Sequence, residues 1–293
     1  MPDLVVTPAA FRSHCQLLAR KFDVLPLSEA VERYVSSESS RPVAAITFDD
    51  GYRDNYEHAA PILDTSGLRA TFYVVSDLVG AEGSTWYDRL ARAVQGHSDR
   101  SRLTSILRDA ALDMEEATPA AVVQAAKTLD ADSQLALIEA LGSRDAAIDR
   151  LMDPAQLLEL QSAGHEIGSH TRSHAILPRL SDEDLRAELA GSRVALEELL
   201  GRAPRAFCYP NGDHDQRTAN AVAAAGYTSA TTMEPGINEP AQDPLRLKRW
   251  FIHEGRLTRT GGKPSRTLLR MELTGLASRL FGRDRPRHPP RRA

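Results

Sequence analysis

The amino-acid sequence predicts an α/β protein with a parallel sheet curved into a barrel. An amphipathic helix that ends at a glycine and continues into a short β-rich run recurs along the chain. It occurs at residues 59–75, 155–170, 193–210 and 219–232. Glycine favours the left-handed conformation that ends a helix, and β-branched and aromatic residues suit buried strands. Strands that alternate with helices imply parallel pairing. A parallel sheet this long, without a glycine-rich phosphate loop, favours a barrel over a dinucleotide-binding fold.

The remaining segments complete the predicted domain organisation. Residues 1–40 predict a helix, a strand and a helix that pack on the barrel, and the barrel itself spans residues 41–256. A strand at residues 42–50 begins the barrel. Residues 86–150 are rich in Ala, Leu, Arg and Asp without strand signals, which predicts a helical insertion. Residues 257–293 predict a basic helix with leucines at helical spacing, followed by a disordered tail.

Several helix starts are marked by capping residues. Asp153-Pro154 places an N-cap before a proline at the first helical position, and Thr118-Pro119 begins a helix of the insertion. Ser181 precedes three carboxylates, which are favourable at the positive end of a helix. These signals fix where helices begin between the predicted strands.

Composition limits the classes of function. The 293 residues are 42% hydrophobic and 26% charged, which suits a globular core, and a net charge of -4 argues against a nucleic-acid partner. Two cysteines, Cys15 and Cys208, are too few for a disulfide framework or a cysteine-based zinc cluster. No secretory signal or bilayer-spanning segment is present, so the default expectation is a cytoplasmic protein. The basic C-terminal helix allows one alternative, contact with an acidic membrane surface.

Two adjacent carboxylates, Asp49 and Asp50, directly follow the first barrel strand and precede Gly51. The carboxyl ends of parallel strands face the active site in barrels of this type. Adjacent residues at a strand end point in different directions, so one carboxylate can bind a metal while the other takes a proton. The alternative is structural, because Asp-Gly is a common turn pair and an aspartate can cap a helix.

Two histidines, His170 and His174, follow another predicted strand. Residues four apart lie on the same side of a helical turn, so both imidazoles can reach one cation. One carboxylate and these two imidazoles would form a facial set of ligands with free positions for water and substrate. We expect a divalent metal, zinc first, with Fe, Co, Ni or Mn as alternatives.

A third candidate is the turn at residues 207–212, where proline and glycine follow a strand at the same edge of the sheet. Main-chain N–H groups in such a turn can stabilise an oxyanion. An ordinary strand-to-loop turn is the alternative.

Three motifs occur in order: TFDDG at residues 47–51, HTRSH at 170–174 and FCYPNG at 207–212. In this order they resemble the polysaccharide deacetylase superfamily, also called the NodB homology domain or carbohydrate esterase family 4. The third motif is similar to that of the subgroup with an FAYPYG-like sequence, and the match covers about residues 41–250. The resemblance implies a distorted (β/α) barrel, which agrees with the helix–strand repeat.

The resemblance also implies roles for individual residues. By position in the motifs, Asp49 would be the general base. Asp50, His170 and His174 would be the metal ligands, and the main-chain N–H of Asn211 would form part of the oxyanion hole.

The sequence departs from the family pattern in two places. Many relatives have an arginine in the third motif, where this chain has Cys208. In the subgroup a later Leu-x-Arg segment is typical, so Arg249 is expected to supply the missing cation near Asp49. The late Leu-x-His motif that carries the usual general acid has no clean counterpart. His253 is the nearest candidate, with a surface role as the alternative.

The function implied by the resemblance is a metal-dependent hydrolase of non-peptide C–N bonds. It would remove an N- or O-acyl group, above all N-acetyl, from a carbohydrate, a polysaccharide or a lipid-linked glycan. One alternative keeps the site but changes the substrate, as in an amidohydrolase of small molecules or a deformylase of sugar lipids. Another is a glycan-binding module with a degenerate site, against which the four intact motif side chains argue. Activity on formamides would distinguish the first alternative, and metal content with a hydrolysis assay the second.

Overall fold

The protein is described by a computed structural model that covers residues 5–36, 40–81, 84–114, 116–142, 150–239, 241–253, 257 and 265–273. The chain begins with helix α1 (Pro8–Lys21), strand β1 (Asp23–Val24), helix α2 (Leu27–Ser36) and strand β2 (Val43–Ala44). Strands β1 and β2 pair in parallel, Asp23 with Val43 and Val24 with Ala44. Thr7 caps α1, and its side chain accepts a hydrogen bond from the Ala10 N–H.

A five-stranded parallel sheet forms the centre of the protein. Its strands lie side by side in chain order: β3 (Thr47–Phe48), β4 (Thr71–Val74), β5 (Glu166–Ser169), β6 (Ala206–Cys208) and β7 (Ser229–Thr231). Each strand has the register expected of parallel neighbours, for example Phe72 with Ile167 and Phe207 with Ala230. The sheet curls into part of a barrel, and the predicted α/β class with a distorted (β/α) barrel is confirmed.

The segment predicted as one strand at residues 42–50 differs from the prediction in detail. It forms two short strands, of which β2 pairs with β1 and β3 pairs with β4. The chain therefore passes from one sheet to the other between Ala44 and Thr47. On the far edge Leu247 pairs in parallel with Thr231. A groove of about 1580 Å³ is lined by residues of both edges of the sheet, β3 and the β7–Leu247 edge, so the barrel is open on this side.

Helices cover the outside of the sheet. Helix α3 (Ala60–Thr65) lies between β3 and β4 in the chain. The insertion contains α4 (Trp86–Gly96), α5 (Arg100–Asp109), α6 (Pro119–Ala126) and α7 (Ala131–Ala140). The later helices are α8 (Pro154–Ser162), which precedes β5, α9 (Asp182–Leu200), α10 (Gln216–Ala224) and α11 (Arg266–Leu273). Asp153 forms a capping box with Gln156, and Ser181 caps α9 as its sequence predicts. Gly201 ends α9 at φ 71°, the left-handed cap.

The sheet and its helices share one core. The Phe72 ring stacks on Phe48 with centroids 4.9 Å apart, and Phe11 of α1 meets Phe48 edge-on at 5.7 Å. Leu157 and Leu160 of α8 close the same core from the other side. The burial of these apolar side chains fixes the short strands in place, since strands of two to four residues have few ladder hydrogen bonds of their own.

The insertion has a separate hydrophobic core. Buried side chains of its helices pack together, among them Leu90, Val94, Leu103, Leu107, Val122 and Ile138. It returns to the barrel at Leu151, which bridges to Tyr52, and the Met152 N–H donates to the Gly51 carbonyl. The end of the insertion is thus bonded directly to the first motif.

Parts of the sequence predictions fall on residues outside the described ones. These are the end of the predicted insertion at residues 143–149, the basic tail, and the second half of the predicted C-terminal helix, of which α11 is the described part. The division into residues 1–40, 41–256 and 257–293 stays a prediction. No helix in the described ranges combines the length and apolar character needed to span a bilayer.

Candidate metal centre

The parallel sheet brings the three motifs to one edge. Asp49 and Asp50 follow β3, His170 follows β5, and the turn at residues 209–212 follows β6. Because all three strands run in the same direction, their carboxyl ends meet, as in other parallel α/β folds. The side chains that the sequence singled out therefore share one site, although they come from segments far apart in the chain.

Asp50 lies between the two histidines. Its Oδ1 atom is 3.4 Å from Nε2 of His170 and 3.3 Å from Nε2 of His174. The three ligand atoms form one compact group, and both histidines are buried. Oδ1 of Asp50 is itself buried without a hydrogen-bond partner among the described residues. A buried carboxylate oxygen facing two imidazole nitrogens fits a divalent metal, because the ion would supply the partner that Oδ1 lacks.

The ring of His170 is held in the tautomer that a metal ligand needs. Its Nδ1 lies 2.8 Å from the main-chain carbonyl oxygen of Cys208. A carbonyl only accepts, so Nδ1 carries a proton and Nε2 is the ring nitrogen left to bind a metal beside Asp50. The third motif therefore serves the metal centre through its backbone, which the sequence did not indicate.

The histidine motif is not helical, so the predicted helical turn at residues 170–174 is wrong. Thr171 and His174 both have φ 65°, in the left-handed region. The loop is held by local bonds: the His174 N–H donates to Thr171 Oγ1 at 2.9 Å, and Glu188 accepts from the main-chain N–H groups of Arg172 and Ser173, each at 2.9 Å. The two imidazoles converge because the loop folds back, not because of helical spacing.

The first motif also has a left-handed backbone. Asp50 has φ 71° and Gly51 has φ 79°. A Cβ on Gly51 would come within 3.2 Å of Val74 Cγ1, so glycine provides both the conformation and the close approach to β4. Two consecutive left-handed residues turn the Asp50 carboxylate toward the histidines.

The electrostatics favour the metal-binding forms of Asp50 and His174 but not of His170. Burial lowers the pKa of His170, but Cys208, Asp50 and Asp49 raise it by more, which favours the protonated imidazole. Burial alone would raise the pKa of Asp50, but the closeness of the His170 and His174 imidazoles outweighs it and holds that pKa far below its usual value. Burial lowers the pKa of His174, which favours the neutral imidazole. An ionised carboxylate beside a neutral imidazole is what a metal requires of its ligands.

Asp49 faces a different partner. Arg249 donates from Nη1 to Oδ1 at 2.7 Å and from Nη2 to Oδ2 at 2.9 Å. Arg249 is fixed in turn by the Thr232 carbonyl, which accepts from Nε at 2.8 Å, and its Nη2 lies 3.2 Å from Sγ of Cys208. Burial raises the pKa of Asp49, but the charge and bonds of Arg249 lower it by more, so the net shift is downward. The structure thus brings Arg249 to the position beside Asp49 where the sequence predicts a cation.

Asn211 lies in a tight turn after β6. Its φ of 57° and the φ of 75° at Gly212 are both left-handed. A Cβ on Gly212 would come within 2.5 Å of the Met233 backbone nitrogen, so only glycine fits there. The Asn211 side chain is anchored too, since its Oδ1 accepts a hydrogen bond from Lys127 Nζ at 2.6 Å.

The insertion supplies residues that sequence reasoning did not single out. The ring of Tyr87 lies 5.0 Å from that of His174, and Tyr52, next to the first motif, donates to Asp88 Oδ2 at 2.5 Å. Lys127, also from the insertion, donates a hydrogen bond to Asn211 of the third motif. Neither the helical periodicity nor the composition of residues 86–150 indicated which of their side chains face the site.

His253, the predicted candidate for the general acid, packs its ring 5.6 Å from that of Phe251. It belongs to neither of the two groups of potential ligand atoms in the described part of the chain, which are Asp49, His170 and Cys208, and Asp50, His170 and His174. Its role in proton donation stays a prediction.

Comparison with known proteins points to one family. The family model described as "Polysaccharide deacetylase" matches residues 36–230. The chain is 23% identical over 216 residues to "Putative polysaccharide deacetylase YxkH" of Bacillus subtilis (strain 168), a match covering 74% of this chain and 53% of YxkH. It is 31% identical over 137 residues to chitin deacetylase 1 of Cryptococcus neoformans var. grubii, covering 45% of this chain and 27% of that protein. The chain therefore spans about half of the first relative's length.

Solved structures show the same fold. The Streptococcus pyogenes deacetylase PplD, in complex with acetate, superimposes with a TM-score of 0.63 at 19% identity over 92% of this chain and 88% of PplD. A de-N-acetylase from Aggregatibacter actinomycetemcomitans gives a TM-score of 0.58 at 16% identity over 92% of this chain and 90% of that one. At these identities the likeness establishes the architecture of the barrel.

Proposed function

The chain belongs to the polysaccharide deacetylase family, and we propose that it is a metal-dependent hydrolase that removes an acyl group, N-acetyl above all, from a carbohydrate. The observation that carries the proposal is the grouping of the Asp50, His170 and His174 ligand atoms beside a separate carboxylate, Asp49. A glycan-binding module would have no use for an ionised base next to a metal site.

We propose that Asp50, His170 and His174 hold one divalent ion, with zinc as the expected ion. The donor set of two imidazoles and one carboxylate suits zinc, and it leaves positions for substrate. When bound, such an ion polarises an acyl carbonyl and makes a neighbouring water more acidic. This chemistry is what an amide needs for hydrolysis near neutral pH.

The residues of the chain account for the other parts of the reaction. Asp49 takes the proton of the attacking water, because Arg249 keeps its carboxylate ionised and oriented. The main-chain N–H of Asn211 donates to the oxyanion that develops on the acyl oxygen. The leaving amine needs a proton in the last step, and His253 remains the candidate from the sequence.

The substrate we propose is an N-acetylated polysaccharide, oligosaccharide or lipid-linked glycan. The names of the relatives, which include chitin deacetylases and polysaccharide deacetylases, support a sugar polymer. A membrane surface as a further partner rests only on the basic C-terminal helix.

The proposal is tested by acetate release. The purified protein, loaded with zinc, is incubated with N-acetylated chitooligosaccharides and with small formamides, and acetate and formate are measured. Acetate release by the wild type, lost in Asp49→Asn at unchanged metal content, supports the proposal. Formate release alone would replace the proposed substrate by that of a deformylase, and near-full activity of Asp49→Asn would remove Asp49 as the base.

A further inference from the structure

Lys127 connects the helical insertion to the third motif. It follows the last residue of α6 and is half-buried, and its Nζ donates to Asn211 Oδ1 at 2.6 Å. The contact joins residues 84 apart in sequence. Because an ammonium group only donates, the bond also fixes which end of the Asn211 amide faces Lys127.

The backbone of Lys127 is anchored independently of its side chain. Its main-chain carbonyl accepts a hydrogen bond from Arg179, which ends the short 3-10 turn Leu177–Arg179 after the histidine loop. The preceding turn of α6 contributes Val122, Val123 and Ala126 to the core of the insertion. The backbone of Lys127 is therefore held in place, and its side chain extends from it toward Asn211.

The position of this ammonium is not explained by an ion pair. Burial lowers the pKa of Lys127, while Asp213 and Asp50 act in the opposite direction from a distance. Within the described ranges no carboxylate lies at salt-bridge distance from Nζ, and the bonded partner is a neutral amide. Placing a cation against an amide costs desolvation that an exposed lysine would avoid, so the contact with Asn211 needs a reason other than charge pairing.

The turn that receives this bond has a left-handed backbone. Asn211 and Gly212 both have positive φ, which asparagine and glycine adopt more readily than other residues. Two backbone hydrogen bonds within the turn, 2.8 and 3.1 Å long, hold its main chain. Neither bond involves the Asn211 side chain, which Lys127 fixes from outside the turn, while Met233 lies against Gly212.

We propose that Lys127 is a positioning residue that fixes the Asn211 turn, through the Asn211 side chain, in the conformation that presents its main-chain N–H to the oxyanion. The inference rests on the proposed hydrolase function. It gives the insertion a part in the reaction, because Lys127 adds a hydrogen bond from outside the third motif to the backbone bonds within the turn.

The test uses Lys127→Met in the full-length, zinc-loaded protein. Loss of the bond frees the turn, so kcat falls by about 10-fold while KM stays nearly unchanged, because the oxyanion exists only in the transition state. Lys127→Arg retains part of the activity, since it can still donate to Oδ1. Lys21→Met is the matched control, because Lys21 is exposed at the end of α1 and should change neither value.

A double-mutant cycle separates positioning from a general effect of charge. Asn211→Gly removes Oδ1 and tolerates φ near 57°. If Lys127 acts through Asn211, adding Lys127→Met to Asn211→Gly lowers kcat no further. Additive losses in the double variant, or wild-type kcat in Lys127→Met, would overturn the proposal.

Hydrogen exchange at the Asn211 amide gives a result that does not depend on turnover. The exchange measured by NMR becomes faster in Lys127→Met and stays unchanged in Lys21→Met. Unchanged exchange in Lys127→Met rejects the positioning role, whether or not the wild type hydrolyses any substrate. Absence of both acetate and formate release by the wild type would instead reject the proposed function.

Discussion

Arg249 binds Asp49 through two parallel hydrogen bonds, 2.7 Å and 2.9 Å long, across the open side of the barrel. The same guanidinium donates to Thr47 of β3 and to the Thr232 carbonyl after β7. It therefore joins the first and last strands of the sheet. One arginine both bridges the two edges of the sheet and lowers the pKa of Asp49.

Replacing Arg249 by lysine is expected to move the acid limb of the pH profile upward. Burial raises the pKa of Asp49 and Arg249 lowers it, with a net lowering, so in the wild type activity is lost only as pH falls through that low pKa. Lysine cannot form the bidentate pair of hydrogen bonds that arginine forms, so the pKa of Asp49 rises. The loss of activity then begins at a higher pH. The measurement is kcat/KM against pH.

Arg33→Lys is the control for this comparison, because Arg33 forms a solvent-exposed ion pair with Glu29 within α2, outside the three motifs. Its profile should match that of the wild type. An acid limb that does not move in Arg249→Lys would show that Asp49 is not the group titrating there.

Two glycines with similar backbone angles should respond differently to alanine. Gly201 (φ 71°) ends α9, and nothing lies within 4 Å of the Cβ that alanine would add, so Gly201→Ala should cost only the left-handed strain, roughly 1–2 kcal/mol of unfolding free energy. Gly212 (φ 75°) has the Met233 backbone 2.5 Å from such a Cβ. Gly212→Ala should therefore lose roughly 1–3 kcal/mol more, and kcat should fall because the Asn211 turn shifts.

Urea unfolding and steady-state kinetics on the two variants make this comparison. Gly201→Ala is expected to keep wild-type kcat. Equal losses of stability in both variants, with full activity in each, would mean that the turn tolerates displacement and does not position the oxyanion donor.

Glu188 is expected to set metal affinity without touching the metal. It accepts from two main-chain N–H groups and from the Ser173 hydroxyl of the loop that carries His174. Glu188→Ala frees that loop, and loss of such a supporting contact typically weakens metal binding by about 10-fold or more. Competition with a chromogenic chelator measures the zinc dissociation constant.

Glu198→Ala serves as the matched control, since Glu198 is an exposed glutamate on the same helix, α9, near its C-terminal end. It should leave the constant unchanged. An unaltered zinc affinity in Glu188→Ala would indicate that the left-handed backbone of the loop holds His174 without help.

Much of the barrel follows from local patterns in the sequence. The runs that follow a helix-ending glycine form β4 to β7 in chain order, and the capping residues Asp153 and Ser181 begin helices where the sequence places them. Strand direction then brings Asp50, His170 and His174 together, because parallel strands end at one edge. For these elements the local signal and the tertiary arrangement agree.

Other features depend on contacts that no local pattern reveals. The loop at His174 is left-handed because Thr171 and Glu188 bond its backbone, whereas spacing alone suggested a helical turn. Lys127 lies at the end of a helix of ordinary composition, and only the packing of the insertion brings it to Asn211. Tyr87 faces His174 for the same reason.

We expect Asp50, His170 and His174, and not Asp49, to bind one divalent ion. This is tested by the metal content per chain after zinc loading and gel filtration. About one zinc ion is expected for the wild type and for Asp49→Asn, and almost none for His174→Ala or Asp50→Ala, because each of these variants removes one of only three protein ligands. Full zinc content in His174→Ala and Asp50→Ala would contradict this expectation.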